Sequence, residues 1–305
     1  MPVVRASLHW RAVLQALLVT ILWSTSWVLI KIGLKEIPPL TFAGLRYSMA
    51  FLCLLLVSRC SSRATSLRSL SRKAWVELIA LGLIFYAVTQ GAQFIGLAYL
   101  PAMTVNLLLS FTAAIVALMG IALLREYPTV FQWSGVVLSL IGALIYFYPA
   151  YFPAGQVMGF IAVVIGVLAN AGSSILGRHI NRTGIASPLT VTTVSMGIGA
   201  MALLITGLAS HGLPRLSLTN WAIVVWLAIV NTAFAFTLWN HTLRTLSAME
   251  SSIINNTMII QIAILAWLFL GEQLTWQRGL GLALAAVGAL IVQLRRRKDG
   301  YSYKR

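Results

Sequence analysis

The chain has very few acidic residues: Asp and Glu together number 6, against 22 Lys and Arg, among 305 residues. Charged residues of both signs make up 9% of the sequence, whereas 59% is hydrophobic. A soluble globular domain carries about 25% charged residues, because its surface faces water. The scarcity of charge therefore excludes the two soluble domains that the length alone suggests. It predicts an integral helical membrane protein.

Cysteine is also scarce, with Cys53 and Cys60 alone. Two helical turns separate them by about 10 Å, which is too far for a disulfide between helical Cα atoms. No metal-binding spacing or redox motif is present, and the four histidines, His9, His179, His211 and His241, form no HExxH pattern. We therefore expect no cofactor and no metal. An intramembrane enzyme, which needs a nucleophile with its base or a metal, is disfavoured.

Apolar runs of membrane-spanning length account for most of the sequence. Charged, Pro-rich or Gly-rich segments separate them, as at Pro38-Pro39 and Pro149–Gly155. The pattern predicts an all-α integral membrane protein with ten transmembrane helices, at about 10–33, 40–58, 75–97, 102–123, 130–148, 157–179, 188–209, 219–241, 250–270 and 276–294.

The net charge of +16 does not indicate a nucleic-acid partner, because the basic residues lie in the gaps between apolar runs. With ten spans both termini share one side, and most Lys and Arg fall there. The other side holds only Lys31, Lys35, Arg215 and Arg278, and Arg46 lies within span two. Cytoplasmic loops carry such an excess. The bias predicts a multi-pass protein of the cell (inner) membrane, with cytoplasmic N- and C-termini.

The sequence resembles itself after a shift of 146 residues, which aligns 100–145 with 246–291 without a gap. Glu126-x-x-Thr129 falls on Glu272-x-x-Thr275, for example. A repeat of five spans is odd in number, so the second copy must cross the membrane in the opposite sense. The predicted units are an inverted pair at 1–150 and 151–297, followed by a polar tail at 298–305. Inverted repeats are typical of alternating-access transporters, whose site lies at the repeat interface near the bilayer midplane.

Several motifs also resemble the EamA-type branch of the drug/metabolite transporter superfamily. The first half has Trp23-Ser24-Thr25-Ser26, Lys31, Pro38-Pro39 and Arg46, and the second ends in Leu270-Gly271-Glu272-Gln-Leu-Thr275. The resemblance covers about 15–294, although the first-half turn reads Leu-Arg-Glu126 rather than Leu-Gly-Glu. It implies a five-plus-five exporter or permease of small metabolites such as amino acids, and it leaves the substrate open.

Polar and aromatic side chains near the middles of spans are candidates for the substrate site, because lipid satisfies none of their hydrogen bonds. Each hydroxyl could instead serve only the packing between helices, and each aromatic could either form a pocket wall or have a structural role. The candidates are Trp23, Ser26, Trp27, Tyr86, Gln90, Gln93, Asn106, Ser110, Asn170, Ser173, Asn231, Phe234, Trp239, Asn256 and Gln261.

The charged residues carry separate expectations. No acid lies at the middle of a span, so a proton-coupled cation antiporter, which exchanges both on a buried acid, is disfavoured. Glu126 and Glu272 precede spans five and ten and are expected to cap those helices. Lys31 and Arg46 either snorkel to the headgroups, pair with Glu36, or guide a carboxylate-bearing solute.

The leading function is therefore a transporter whose partners are a small-molecule substrate and the lipid bilayer. A multidrug or organic-cation efflux carrier of the same fold is the first alternative. A non-transporting membrane scaffold or sensor is the second alternative. Such a protein needs no polar residues at the midplane, whereas this chain has them. The oligomeric state stays open, a monomer included.

Overall fold

The computed structural model describes residues 2–60, 67, 70–124, 129–149, 153–212, 214–243, 245–246 and 248–293. Its regular elements, within these ranges, are all helices. The predicted tail at 298–305 and the Glu126 cap lie outside the described residues. The all-helical class that the composition predicts is confirmed.

Ten helices of the described part are long and apolar enough to cross a membrane. Their number and order agree with the sequence-based prediction, and most of their ends lie within three residues of it. In chain order, spans one to ten are His9–Gly33, Pro39–Ser58, Arg72–Tyr99, Ala102–Met119, Val130–Phe147, Ala154–Asn181, Pro188–His211, Leu218–Trp239, Ile253–Leu270 and Trp276–Gln293.

Local sequence signals explain where several spans begin and end. Thr129 and Gln132 form a reciprocal capping box at the start of span five, in which the side chain of each accepts the backbone N–H of the other. The box satisfies two N–H groups that have no partner within the helix. Ser187 accepts a hydrogen bond from the Thr190 backbone at the start of span seven. Gly271 follows span nine with a φ of 67°, a left-handed conformation that glycine adopts without a steric penalty.

Four spans are interrupted, at places that the 146-residue shift relates. A π-helical segment, Gly82–Thr89, divides span three, and another, Ile229–Phe234, divides span eight. Spans four and nine break at Phe111 and Thr257, and each of these two residues donates its backbone N–H three residues back, over 3.2 Å and 3.1 Å. The same shift places Phe111 on Thr257. The two halves thus share departures from regular helix as well as residues.

The packing of the spans has a matching order. Span five lies along span ten, span two along span seven, and span four contacts span nine. Span one packs on spans eight and nine, while span six packs on spans three and four. These pairs map onto one another when every span is exchanged with the span five places later. An inverted repeat requires this exchange, and the repeat itself stays a prediction.

Spans five and ten make close backbone contact through glycines. A Cβ added to Gly142 would lie 2.6 Å from the Gly281 carbonyl oxygen, and one added to Gly281 would lie 2.6 Å from that of Gly142. Only hydrogen fits at either position. Small residues allow such close backbone contact between helices in lipid, where the hydrophobic effect does not drive association.

Candidate functional site

A cavity of about 750 Å³ lies inside the helix bundle. Every span except span seven contributes to its wall. Ligand pockets for small molecules have volumes of roughly 300–1,000 Å³, so the cavity has the size of a solute site. Nine of the predicted site residues line it, namely Trp23, Ser26, Trp27, Gln90, Gln93, Asn106, Ser110, Asn170 and Asn256.

The cavity opens at the end of the bundle where span one begins and span ten ends, which we call the terminal end. Exposed polar residues form its rim there: Arg178 from the end of span six, Asn255 from the start of span nine, and Gln293 from the end of span ten. These positions lie within three residues of the ends of their spans. The cavity is therefore accessible from the terminal end.

The opposite end, which we call the distal end, is closed. The Lys31 ammonium group donates hydrogen bonds to the carbonyl oxygens of Leu97 and Leu100, at 2.6 Å and 2.7 Å. Leu97 and Leu100 are fully buried, and so is the neighbouring Phe94. A cation at the carbonyl end of a helix interacts favourably with the negative end of the helix dipole. Lys31 therefore fixes the distal end of span three against span one.

Glu272 holds the same distal turn from the second half of the chain. Its carboxylate oxygens accept the backbone N–H groups of Ala102 and Met103, at 2.5 Å and 3.0 Å. These are the first residues of span four, so Glu272 caps a helix, but not the predicted one. The expected cap of span ten is wrong because the loop 271–275 places the carboxylate over the unpaired N–H groups of span four.

The breaks in spans four and nine lie beside the cavity. Asn106 and Ser110 precede the break at Phe111, and Asn256 directly precedes the break at Thr257. Discontinuous helices supply polar groups to substrate sites in many transporters. The sequence placed these amides near the middle of their spans, and the structure adds the interrupted backbone next to them.

Three cavity amides are each held by one bond to a neighbouring span. Asn106 donates to the Ile259 carbonyl at 3.0 Å, Asn256 to the Ala286 carbonyl at 2.6 Å, and Asn170 to the Thr112 hydroxyl at 3.3 Å. An amide has two donor hydrogens and an acceptor oxygen. These bonds fix the orientation of the side chains and leave further capacity for a solute.

One wall of the cavity is aromatic. The Trp23 ring packs on Phe236 with their centroids 5.2 Å apart, and both line the cavity with Trp27. The Trp23 indole N–H donates to the Asn231 backbone carbonyl at 3.1 Å, which fixes the ring. The aromatic residues supply rigid apolar surface to the same cavity that the amides line.

Six predicted site residues do not line the cavity. Three of them are engaged in packing, and a fourth, Phe234, lies on the outside of the bundle. Tyr86 is buried behind Tyr47, with ring centroids 5.7 Å apart. Trp239 packs behind Trp23 at 5.3 Å. The Ser173 hydroxyl is buried and donates to the Asn170 carbonyl within its own helix. Phe234 is 50% exposed on the outside of the bundle.

Asn231 and Gln261 are the other two, and both join spans to each other. Asn231 is fully buried and donates to the Leu22 carbonyl, which fastens span eight to span one. Gln261 accepts from Ser24 at 2.9 Å and donates to Thr20 at 3.2 Å. Both were candidates because lipid cannot satisfy the hydrogen bonds of an amide. Their partners, however, are neighbouring helices rather than a solute in the cavity. Sequence alone does not separate these two uses.

Arg46 is the most informative cavity residue that the prediction of the site left out. Its side chain is only 5% exposed, it lines the cavity, and its Nε donates to the Thr232 hydroxyl at 3.2 Å. The snorkelling interpretation is therefore wrong for Arg46. Thr232 belongs to the π-helical segment of span eight, whose position was not predictable from the sequence. Tyr47 and Arg178 also line the cavity.

The family model of EamA-like transporters matches this chain twice, over residues 10–148 and 157–294. The chain belongs to the EamA-like transporter family. It is therefore a multi-pass membrane transporter, as the motifs of the two halves indicated. Membership does not identify the solute, and binding of a solute by the cavity residues stays a prediction.

Individual relatives agree with this membership. An uncharacterized transporter of Bacillus subtilis, YoaV, is 24% identical over 91% of this chain and 95% of its own length. A probable amino-acid metabolite efflux pump of Escherichia coli is 25% identical over 90% of this chain and 92% of its own. A solved crystal structure, 17% identical, covers 92% of this chain and 97% of its own with a TM-score of 0.65, which indicates a shared fold.

Proposed function

We propose that this transporter exports small metabolites, such as amino acids or related amphipathic solutes, by alternating access around the cavity. The observation that carries the proposal is a solute-sized cavity that opens at the terminal end and is closed at the distal end. A transporter loads its solute in such a state and releases it in the opposite one. The relatives named as amino-acid metabolite efflux pumps support this class of solute.

The terminal end is assigned to the cytoplasm by the distribution of basic residues, since cytoplasmic loops carry the excess of Lys and Arg. The described conformation is then inward-facing, in the inner membrane of the cell, and loads from the cytoplasm. An exporter requires this loading state. The paired breaks and the exchange-symmetric packing support the inverted repeat that generates the outward-facing state.

Efflux of organic cations by the same fold is a weaker candidate. Aromatic faces such as Trp23 attract cations. However, no Asp or Glu lines the cavity among the residues that the structure describes, whereas Arg46 does. A scaffold or sensor is weaker still, because neither requires a polar cavity closed at one end.

The test is counterflow in proteoliposomes loaded with unlabelled amino acids, with the labelled compound supplied outside. Gln93→Leu removes a cavity amide that has no hydrogen-bond partner among the described residues, so transport should fall about tenfold while thermal stability is kept. Phe234→Leu is the matched control outside the cavity and should transport like the wild type. Absence of counterflow for every amino acid and related metabolite in the wild type would contradict the proposal.

A further inference from the structure

A buried arginine without an acidic partner points to the chemistry of the solute. Arg46 lies within span two, two turns from its distal end, and a charged side chain inside a membrane span is costly and usually marks a functional site. Within the described part of the chain, its guanidinium has two contacts, the Thr232 hydroxyl and the Tyr47 ring at 5.2 Å from its centroid. No carboxylate lies within ion-pair distance of it among those residues.

The two contacts leave the outer face of the guanidinium available. The hydrogen bond to Thr232 uses Nε, and neither terminal nitrogen has a hydrogen-bond partner within the described residues. Neither nitrogen is among the buried polar atoms sealed without a partner, although the side chain is 95% buried. Because Arg46 lines the cavity, the two nitrogens face it. A planar pair of N–H donors matches the geometry of a carboxylate.

The neighbours of Arg46 present further donors. The Tyr47 hydroxyl donates to the Gln90 Oε1 atom at 2.7 Å, so the Gln90 amide nitrogen is left for the cavity. Gln93 follows one turn later, and Trp27 lines the same cavity. The Trp27 indole N–H has no partner among the described residues and is not sealed from the cavity. Donors outnumber acceptors on this wall, which favours an anionic group.

We propose that Arg46 binds the carboxylate of the transported solute, and that the cavity selects carboxylate-bearing solutes over organic cations and carboxamides. The inference rests on the proposed transport function and names the chemical class of its substrate. The guanidinium binds the carboxylate through its two terminal nitrogens, Thr232 fixes the side chain through Nε, and the aromatic wall at Trp23 and Phe236 receives the apolar part.

Phosphate is the other anion that an arginine binds well. The cavity favours a carboxylate because Arg46 is a single charge flanked by neutral donors. Arg178, the other lining cation, lies at the exposed rim of the terminal end, near the end of span six. A phosphate dianion needs more positive charge than one guanidinium supplies in a site removed from water.

The experiment measures equilibrium binding to the purified full-length protein in detergent by titration calorimetry. The ligands are matched pairs: the neutral amino acids and the straight-chain and aromatic monocarboxylates, each beside its carboxamide. The wild type should prefer at least one carboxylate over its amide by about tenfold or more, since a charge-assisted hydrogen bond is lost in the amide. Phosphate monoesters of similar size should bind more weakly than that carboxylate.

Variants assign the preference to Arg46. Arg46→Gln should weaken carboxylate binding about thirtyfold and abolish the preference over the amide. Arg46→Lys should retain part of it, because the charge remains but the paired donors are lost. Arg215→Gln removes an arginine from an exposed loop outside the cavity and should bind like the wild type. If Arg46→Gln does not fold, the wild-type pairs and Arg46→Lys still decide.

Each of four results would overturn the inference: equal affinity for carboxylates and amides, no binding of any carboxylate, stronger binding of phosphate monoesters, or an unchanged preference in Arg46→Gln. Counterflow separates this failure from that of the proposed function. Transport of amides or cations as fast as carboxylates refutes the carboxylate site and leaves the transporter. Binding of carboxylates without counterflow refutes the transport of these solutes and leaves the site.

Discussion

The two ends of the bundle are built from different chemistry. The distal end is sealed by fully buried side chains and by charged groups on helix termini, with Lys31 on the carbonyls of span three and Glu272 on the N–H groups of span four. The terminal end presents exposed polar residues around a water-accessible cavity. The distal end thus combines an apolar seal with a few charged hydrogen bonds, and among the described residues the terminal end has neither across the cavity mouth.

Those bonds differ in what they connect. Glu272 joins the second half of the chain to the first, whereas Lys31 and its two carbonyl partners belong to the first half. A movement between the halves must break the Glu272 contact, but it can leave the Lys31 contact intact. We therefore expect Glu272 to control the access state, and Lys31 to control mainly the rigidity of one half.

The largest effect is expected for Glu272→Gln. The neutral amide loses two charge-assisted hydrogen bonds, about 2 kcal/mol in all, which corresponds to roughly thirtyfold in the population of distal-open molecules. The readout is labelling of Met103→Cys by a membrane-impermeant maleimide added from the distal side, with Cys53 and Cys60 replaced by serine. Met103 is 1% exposed, so labelling is slow while the end is closed.

Glu77→Gln is the matched control for this prediction. Glu77 is also a glutamate near a span end, but it contacts Lys73 and His179 at the terminal end, each at 3.8 Å. Its replacement should leave distal labelling of Met103→Cys unchanged. Equal labelling in both variants would show that the loss of any carboxylate loosens the bundle, and would remove the special role of Glu272.

A smaller effect is expected for Lys31→Met, which loses the hydrogen bonds to Leu97 and Leu100. The free energy of unfolding should fall by about 1–2 kcal/mol, because two carbonyls lose a charged donor. The apolar methionine side chain, which costs less to bury than an ammonium group, offsets part of the loss. Thermal unfolding in detergent measures this. Distal labelling of Met103→Cys should rise less than in Glu272→Gln. A larger rise than in Glu272→Gln would reverse the assignment of the two roles.

The smallest effect is expected at the open end, for Arg178→Gln. Arg178 is exposed at the rim of the cavity, where its charge steers anionic solutes in high dielectric. The association rate of a carboxylate should fall only about twofold, and the difference should vanish in 0.5 M salt. Stopped-flow binding at two salt concentrations measures it. A salt-independent loss would mean that Arg178 contacts the bound solute directly.

The sequence predicted the spans because ten apolar runs leave no other structure in lipid, where backbone groups must bond within a helix. It predicted nine cavity residues because polar side chains inside a span are costly in lipid and because aromatic side chains near its middle can line a pocket. It could not distinguish Gln93, which faces the cavity, from Gln261, whose amide bonds to Thr20 and Ser24. The choice depends on how the helices are rotated against one another, and a single sequence does not contain that angle.

Arg46 is the converse case, because it lines the cavity although the sequence did not place it in the site. Its place near one end of span two allowed snorkelling, pairing with Glu36, or contact with a solute. Packing decides between them, because Thr232 reaches Nε from a π-helical segment and Glu36 instead accepts a hydrogen bond from Asn220 at 2.6 Å. The partner of Arg46 lies in a helix interruption that composition and periodicity do not reveal.

Sided labelling of one cavity residue tests the central claim most directly. Val116 lines the cavity on the terminal side of the break at Phe111, and Val116→Cys is made with Cys53 and Cys60 replaced by serine. An impermeant maleimide should label it at least about tenfold faster in inside-out vesicles than in right-side-out vesicles, because only the cytoplasmic end is open. Faster labelling in right-side-out vesicles would contradict the inward-facing cavity.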